Sequence, residues 1–199
     1  MNTQRVSRIY FLVGVVSRPV VRALFRLRWT GLEHLPAEGG FVLAANHTSN
    51  FDPWPLGLPL FPRRWLRFMA KSELYWWPLG AVLNAAGAFP VERGRGDVEA
   101  IETAVELVRA GEVVVMFPEG TRRRKGLRKK WEARPHTGAA RIAWQAHAPL
   151  VPAAIKGTER LARLGPLRVA YGPPVEVSKD SRETTDRLMA EIQRLHEAL

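Results

Sequence analysis

The sequence predicts an α/β fold, a sheet flanked by helices in one domain. Two observations carry this. Short, continuous apolar runs of buried-strand type recur along the chain, residues 41–45 and 113–117 being the clearest. Between them lie segments with helical periodicity, and strands alternating with helices require helices packed on the faces of a sheet. At 199 residues the chain is long enough for one substantial core, and it shows no internal repeat.

The elements follow in order. The first 28 residues carry an apolar pattern, Ile9 to Val16 and then Val20 to Phe25, interleaved with Arg5, Arg8, Arg18, Arg22, Arg26 and Arg28. This reads as a basic amphipathic helix with a kink or break expected at Pro19. It can lie among lipid headgroups or pack its apolar side on the domain. The domain proper is placed at 29–199. Residues 41–45 form the first strand, and 52–60 a short helix with Asp52 at its start and Pro53 in its first turn. Residues 65–70 form a second strand, and 78–86 a helix closed by Gly87. The best amphipathic helix is 97–109, capped by Asp97, with Ile101, Ala104, Val105 and Val108 inward. A buried strand at 113–117, a helix at 137–147 and a strand at 150–155 come next. Short strands at 167–171 and 175–177 and a terminal helix at 182–199 complete the chain.

Composition bounds the function. Hydrophobic residues at 46% and charged residues at 25% are globular values, which argues against disorder and against a polytopic membrane protein. No stretch reaches about 18 uncharged apolar residues, so no transmembrane helix is predicted. The absence of cysteine excludes disulfides, a Cys nucleophile and thiolate-ligated zinc. Arg18 and Arg22 interrupt the N-terminal apolar run and no small-residue cleavage site follows, so the reading is a protein inside the cell. Thirty Lys and Arg against nineteen Asp and Glu give a net charge of +11, a field that attracts anionic lipid, an acidic carrier protein or nucleic acid.

In α/β sheets ligands sit beyond the carboxyl ends of the strands. Asn46-His47-Thr48-Ser49-Asn50-Phe51-Asp52 follows the first strand, and Pro118-Glu119-Gly120-Thr121-Arg122 follows the run at 113–117. A histidine near neutral pH can take a proton from a hydroxyl, and a carboxylate on its other ring nitrogen fixes the tautomer. His47 and Asp52 have that potential. Their spacing alone also fits Asp52 as a helix N-cap beside a solvated or core histidine. Residues 122–130 hold seven basic side chains in nine positions, a solvated loop or a phosphate-gathering one. Only Trp131 adjoins the run, so no stacking platform for bases is evident and nucleic acid is the runner-up partner class. Trp54, Trp65, Trp76 and Trp77, grouped with Phe51, Phe61, Phe68 and Tyr75, suit core packing, an acyl groove or a membrane interface. Core packing is the favoured role for most of them. There is no Gly-x-Ser-x-Gly elbow, His-Glu-x-x-His or Walker loop.

Four segments in order resemble the glycerolipid acyltransferase family, the lysophosphatidic acid acyltransferase or PlsC-like group. Residues 46–52 look like its N-H-x-S-x-x-D motif. Gly87-Ala88-Phe89-Pro90-Val91-Glu92-Arg93 resembles the second, Phe117-Pro118-Glu119-Gly120-Thr121-Arg122 matches F-P-E-G-T-R, and Val151-Pro152-Ala153-Ala154-Ile155 matches V-P-x-x-I. Gly138 to Ala143 resembles the helix between the last two. The resemblance runs from about Gly31 to Pro174. It implies a mixed, mostly parallel sheet flanked by helices, as in glycerol-3-phosphate acyltransferase. It also implies acyl transfer from acyl-CoA or acyl-carrier protein to the sn-2 hydroxyl of 1-acyl-glycerol-3-phosphate, in phospholipid biosynthesis. Another lysophospholipid is the alternative acceptor. His47 would be the general base and Asp52 its orienting partner. Arg93, Glu119, Gly120, Thr121 and Arg122 would bind the glycerol-phosphate end of the acceptor. Arginine forks suit a phosphate dianion. Glu119 would accept from an acceptor hydroxyl or hold Arg122, or simply fix its loop. No metal and no cofactor is implied, the acyl thioester being a co-substrate. The expected partners are the lysophospholipid, acyl-CoA or acidic acyl-carrier protein and an anionic membrane surface, with the protein peripheral on the cytoplasmic face of the cell membrane. A thioesterase that uses His47 to activate water is the competing enzyme reading. Three positions depart from the pattern: Pro90 where a bulky apolar residue is common, Arg123 for serine and His136 for lysine. Pro152 is expected to shape a strand edge.

Overall fold

The structure is a computed structural model that describes residues 8–91, 97–120 and 135–199. Among these residues seven strands form one sheet: β1 (Arg28–Thr30), β2 (Phe41–Ala45), β3 (Leu66–Lys71), β4 (Ala88–Val91), β5 (Val113–Met116), β6 (Leu150–Lys156) and β7 (Arg168–Tyr171). Their order across the sheet is β1-β7-β6-β2-β5-β3-β4. Every pairing is parallel except β6 with β7, so the sheet is mixed and mostly parallel, as expected. Among the described residues six α-helices accompany it: α1 (Arg8–Leu24), α2 (Pro53–Gly57), α3 (Leu79–Ala85), α4 (Asp97–Arg109), α5 (Gly138–Ala146) and α6 (Ser181–Ala198).

The central strands are buried on both faces. All five residues of β2 are inaccessible, which is why the strand is continuously apolar rather than alternating. Phe41, Leu43 and Ala45 point into one cluster with Leu56, Val113, Val115 and Val151, which Val21 of α1 joins. Val42 and Ala44 point into the opposite cluster, built from Ile101, Ala104, Val105 and Val108 of α4, Ala139, Ala140, Ile142 and Ala143 of α5, and Leu188 and Ile192 of α6. Each large aliphatic side chain buried there contributes about 1.5–3 kcal/mol. The inward face expected of α4 is the observed one.

Several expectations are corrected. α1 runs through Pro19 without a break; the proline lies on the exposed side and removes a single backbone hydrogen bond. Residues 175–177 form no strand, only an isolated bridge from Val175 to Leu150. The helix at 182–199 begins one residue earlier, because Asp180 caps it by accepting from the amides of Arg182 (2.8 Å) and Glu183 (3.2 Å). The expected Asp97 cap concerns a side chain outside the described residues. β4 was not foreseen. It is four residues long and contains Pro90, a poor central-strand residue that is tolerated because β4 is the edge strand. Gly87, at φ 93°, leads from α3 into it. Pro152 lies in an interior strand rather than at a sheet edge. Its carbonyl accepts from Gly172 N at 2.9 Å on the β7 side, and the N–H it lacks would point the same way, past the end of β7.

α1 docks on the first cluster through a narrow face. Gly14 sits against the Phe61 ring, so closely that a Cβ there would lie 2.5 Å from a ring carbon. Tyr10 meets Trp65, Arg18 donates to the Phe61 carbonyl at 3.0 Å, and Trp54 Nε1 donates to Ser17 at 3.3 Å. Phe11, Leu12, Val13, Val15, Val16, Val20 and Leu24 stay exposed. Among the described residues no helix is long and apolar enough to cross a membrane.

Candidate active site

The sheet order makes the site. β2 lies between β5 and β6, all three parallel, so the chain leaving Ala45, Met116 and Lys156 emerges at one edge. Asn46 secures the first of these exits. Its side-chain amide donates to the Ile155 carbonyl at 2.9 Å, and its carbonyl accepts from Ile155 N at 2.8 Å, prolonging the β2–β6 ladder by one rung after backbone pairing has ended. His47 is the next residue.

His47 Nδ1 lies 2.8 Å from Asp52 Oδ2. An ionised carboxylate can only accept, so Nδ1 carries the proton of this bond, and in the neutral imidazole the lone pair is then on Nε2. Asp52 is wholly buried, whereas the His47 side chain is 16% exposed, so the dyad meets solvent through the imidazole. Oδ2 also accepts from the amides of Thr48 (2.7 Å) and Ser49 (2.9 Å). Oδ1 accepts from Thr158 Oγ1 at 2.5 Å. These bonds offset the burial of a charge, which is costly unless it is fully hydrogen-bonded. They also settle the competing reading of Asp52. It stands at the N-cap position of α2, but its carboxylate makes no capping bond and turns back toward residues 48 and 49. The imidazole stacks on Phe117, centroids 4.2 Å apart and planes 21° from parallel, which fixes the ring from the β5 side.

Phe117 opens a tight turn in which Gly120 N donates to the Phe117 carbonyl at 3.0 Å. Proline at the second position suits such a turn. Gly120 adopts φ 66°, a left-handed conformation open to glycine. Its Cα also touches the His136 ring: a Cβ there would meet Nε2 at 2.3 Å. His136 N in turn donates to the Pro118 carbonyl at 2.8 Å, tying this turn to the start of α5. Glu119 is half-buried at the third position of the turn.

The structure thus brings His47 and Asp52 into contact and sets Glu119 and Gly120 on the adjoining turn. Arg93, Thr121 and Arg122 lie outside the described residues, as does the basic run at 122–130. β4, which leads toward Arg93, ends at Val91 on the same edge of the sheet. Sequence reasoning gave no role to Asn46, Phe117 or Thr158. Thr158 follows the carboxyl end of β6, so the strand-end rule that selected residues 46–52 and 118–122 would have reached it had it been applied to β6. Of the aromatic group expected to pack mostly in the core, Trp54 and Trp65 are half-buried while Trp76 and Trp77 are exposed.

Comparison with known proteins agrees with this architecture. The family model described as acyltransferase matches residues 26–156. The 1-acyl-sn-glycerol-3-phosphate acyltransferase of Bacillus subtilis (strain 168) is 34% identical over 174 residues, which cover 84% of this chain and 83% of that protein. The enzyme of the same name from Streptococcus pneumoniae (strain ATCC BAA-255 / R6) is 27% identical over 175 residues, 79% of this chain and 61% of that one. The crystal structure of the 1-acyl-sn-glycerophosphate (LPA) acyltransferase, PlsC, from Thermotoga maritima shares the fold, with a TM-score of 0.65 over 94% of this chain and 78% of that chain at 23% identity. With a family model spanning more than half its length and a relative one-third identical across most of both chains, this chain belongs to the acyltransferase family and is an O-acyltransferase.

Proposed function

We propose that the protein transfers a fatty acyl group from a thioester to the sn-2 hydroxyl of 1-acyl-glycerol-3-phosphate, giving phosphatidic acid. The observation that carries this reading is the buried Asp52 bonded to His47 Nδ1, which leaves Nε2 as a base at the rim of the sheet. The relatives named for the same reaction support the choice of acceptor. In this scheme Nε2 takes the proton of the acceptor hydroxyl as its oxygen attacks the thioester carbonyl carbon. The imidazolium formed is stabilised by Asp52. The tetrahedral intermediate collapses, the C–S bond breaks, and the leaving sulfur takes the proton back from His47. The products are an ester and a free thiol, and no resident nucleophile is needed. Either acyl-CoA or acyl-carrier protein satisfies this chemistry as donor. Arg93, Glu119, Gly120, Thr121 and Arg122 would receive the glycerol-phosphate end.

The exposed apolar side of α1 suits a lipid-borne substrate. Its charged residues are all arginine, and its outward face presents seven large apolar side chains. Such a helix lies in the headgroup plane of an anionic membrane. The enzyme would then work as a peripheral protein on the cytoplasmic face.

The deciding experiment is an acyl-transfer assay with lysophosphatidic acid and other lysolipids, comparing wild type, His47→Ala and Asp52→Asn. Loss of transfer in both variants, with the circular dichroism spectrum unchanged, is expected. A drop on the order of 10⁴ is the scale seen when a triad carboxylate loses its charge. Full activity in His47→Ala overturns the mechanism, and acyl release without an acceptor would favour the thioesterase reading. Arg93→Ala and Arg122→Ala should raise the acceptor KM; unchanged kinetics in both would break the phosphate assignment.

A further inference from the structure

The carboxylate that holds His47 is itself held from a distant part of the chain. Thr158 opens the kinked 3-10 segment Thr158–Arg163 that follows β6, and Gly157 at φ 102° turns the chain into it. Its side chain is buried, with Oγ1 2.5 Å from Asp52 Oδ1 and 2.8 Å from Thr48 Oγ1. Thr48 Oγ1 is 3.4 Å from the same carboxylate oxygen. Each hydroxyl has one hydrogen and the carboxylate has none to give. The shorter contact therefore takes the Thr158 proton to Asp52, and the Thr48 proton goes to Thr158. The result is a directed chain, Thr48 to Thr158 to Asp52. Oδ2 is held by two backbone amides on the loop of His47 itself, whereas among the described residues Thr158 is the donor to this carboxylate from outside residues 47–49.

We propose that Thr158 is a positioning residue for the His47–Asp52 dyad: its buried hydroxyl fixes the plane of the Asp52 carboxylate and, through it, the direction of His47 Nε2. This rests on the dyad acting as proposed above. A group that only orients the base alters the chemical step and leaves substrate binding alone. Valine matches threonine in shape and lacks the hydroxyl, whereas serine keeps the hydroxyl and loses the methyl. Thr158→Val is expected to lower kcat by about 10- to 100-fold, by analogy with the loss of a partner that orients a metal-ligating side chain, with both KM values within about twofold of wild type. Thr158→Ser is expected to restore most of kcat. Should Thr158→Val fail to fold, Thr158→Cys replaces it, with kcat expected below that of the serine variant because a thiol is a weak donor.

Wild-type kcat in Thr158→Val or in Thr158→Cys overturns the proposal. Equal loss in the valine and serine variants does so too, since it assigns the effect to packing, as does a raised KM with kcat intact. His47→Ala and Asp52→Asn belong in the same assay. If they remain active, the dyad mechanism itself fails. If they are inactive while Thr158→Val turns over normally, this inference alone fails.

Discussion

The side-chain amide of Asn46 and the backbone of Ile155 exchange two hydrogen bonds, of 2.9 and 2.8 Å, one residue before the imidazole of His47. A side chain here acts as the last rung of a parallel ladder. Asn46→Leu fills similar space but strands the amide and carbonyl of Ile155 in the interior. At about 1–3 kcal/mol for each unsatisfied group, the variant should lose about 2–6 kcal/mol of stability. Its kcat should fall as well, because the next residue is no longer anchored. Urea unfolding and acyl-transfer kinetics check both, and an unchanged midpoint would show that the bonds contribute nothing.

Gly120→Ala should damage binding more than chemistry. The substitution forces alanine into a left-handed conformation, at about 1–2 kcal/mol, and drives a methyl into the His136 ring. A fall in Tm of roughly 2–8 °C is expected, together with a higher acceptor KM. Thermal melts and acceptor titrations decide the matter; wild-type values of both would mean that the turn adapts freely.

Stability should carry an acid-side signature from Glu112. Arg67 Nε lies 3.2 Å from its Oε2, and the guanidinium also packs over the Trp65 ring, 5.0 Å from its centre. Burial raises the Glu112 carboxyl above its ordinary range, and the Arg67 charge only partly opposes this. A group whose folded pKa is raised contributes stability that is complete below its unfolded value, about 4.3. That contribution is lost as the pH rises through the folded value. The Tm of wild type minus that of Glu112→Gln should therefore decline from pH 4 toward neutrality. A difference that is flat or rises with pH contradicts this.

The exposed side of α1 gives a prediction about lipid. Leu12 and Val16 point away from the domain, 63% and 58% exposed, so the double change Leu12→Glu, Val16→Glu should leave folding intact. Removing two apolar contacts worth about 1.5–3 kcal/mol each when fully buried should cut association with anionic vesicles by more than about tenfold. Co-sedimentation measures it, and undiminished binding would separate this helix from the membrane.

Much of the architecture was legible because the strands nearest the middle are buried on both faces and so read as unbroken apolar runs. β2, β5 and α4 fall within a residue of their expected limits. β1, with three residues, and β4, with its proline, carry too little pattern to be read without their partners. The His47–Asp52 pair was ambiguous by residue chemistry and spacing alone, and the resemblance of four ordered motifs to one family singled it out. The part played by Asn46 and Thr158 was not legible, because it depends on β6 lying beside β2, a neighbour more than a hundred residues away in sequence.

Pro90 has one more consequence. Phe68 N donates to the Gly87 carbonyl, so in β4 the alternate residues Ala88 and Pro90 direct their backbone groups outward, away from β3. The outer rim of the sheet thus lacks a donor where another molecule would need one to continue it. A sheet whose outermost strand withholds that donor resists adding strand to strand with a second copy of the chain.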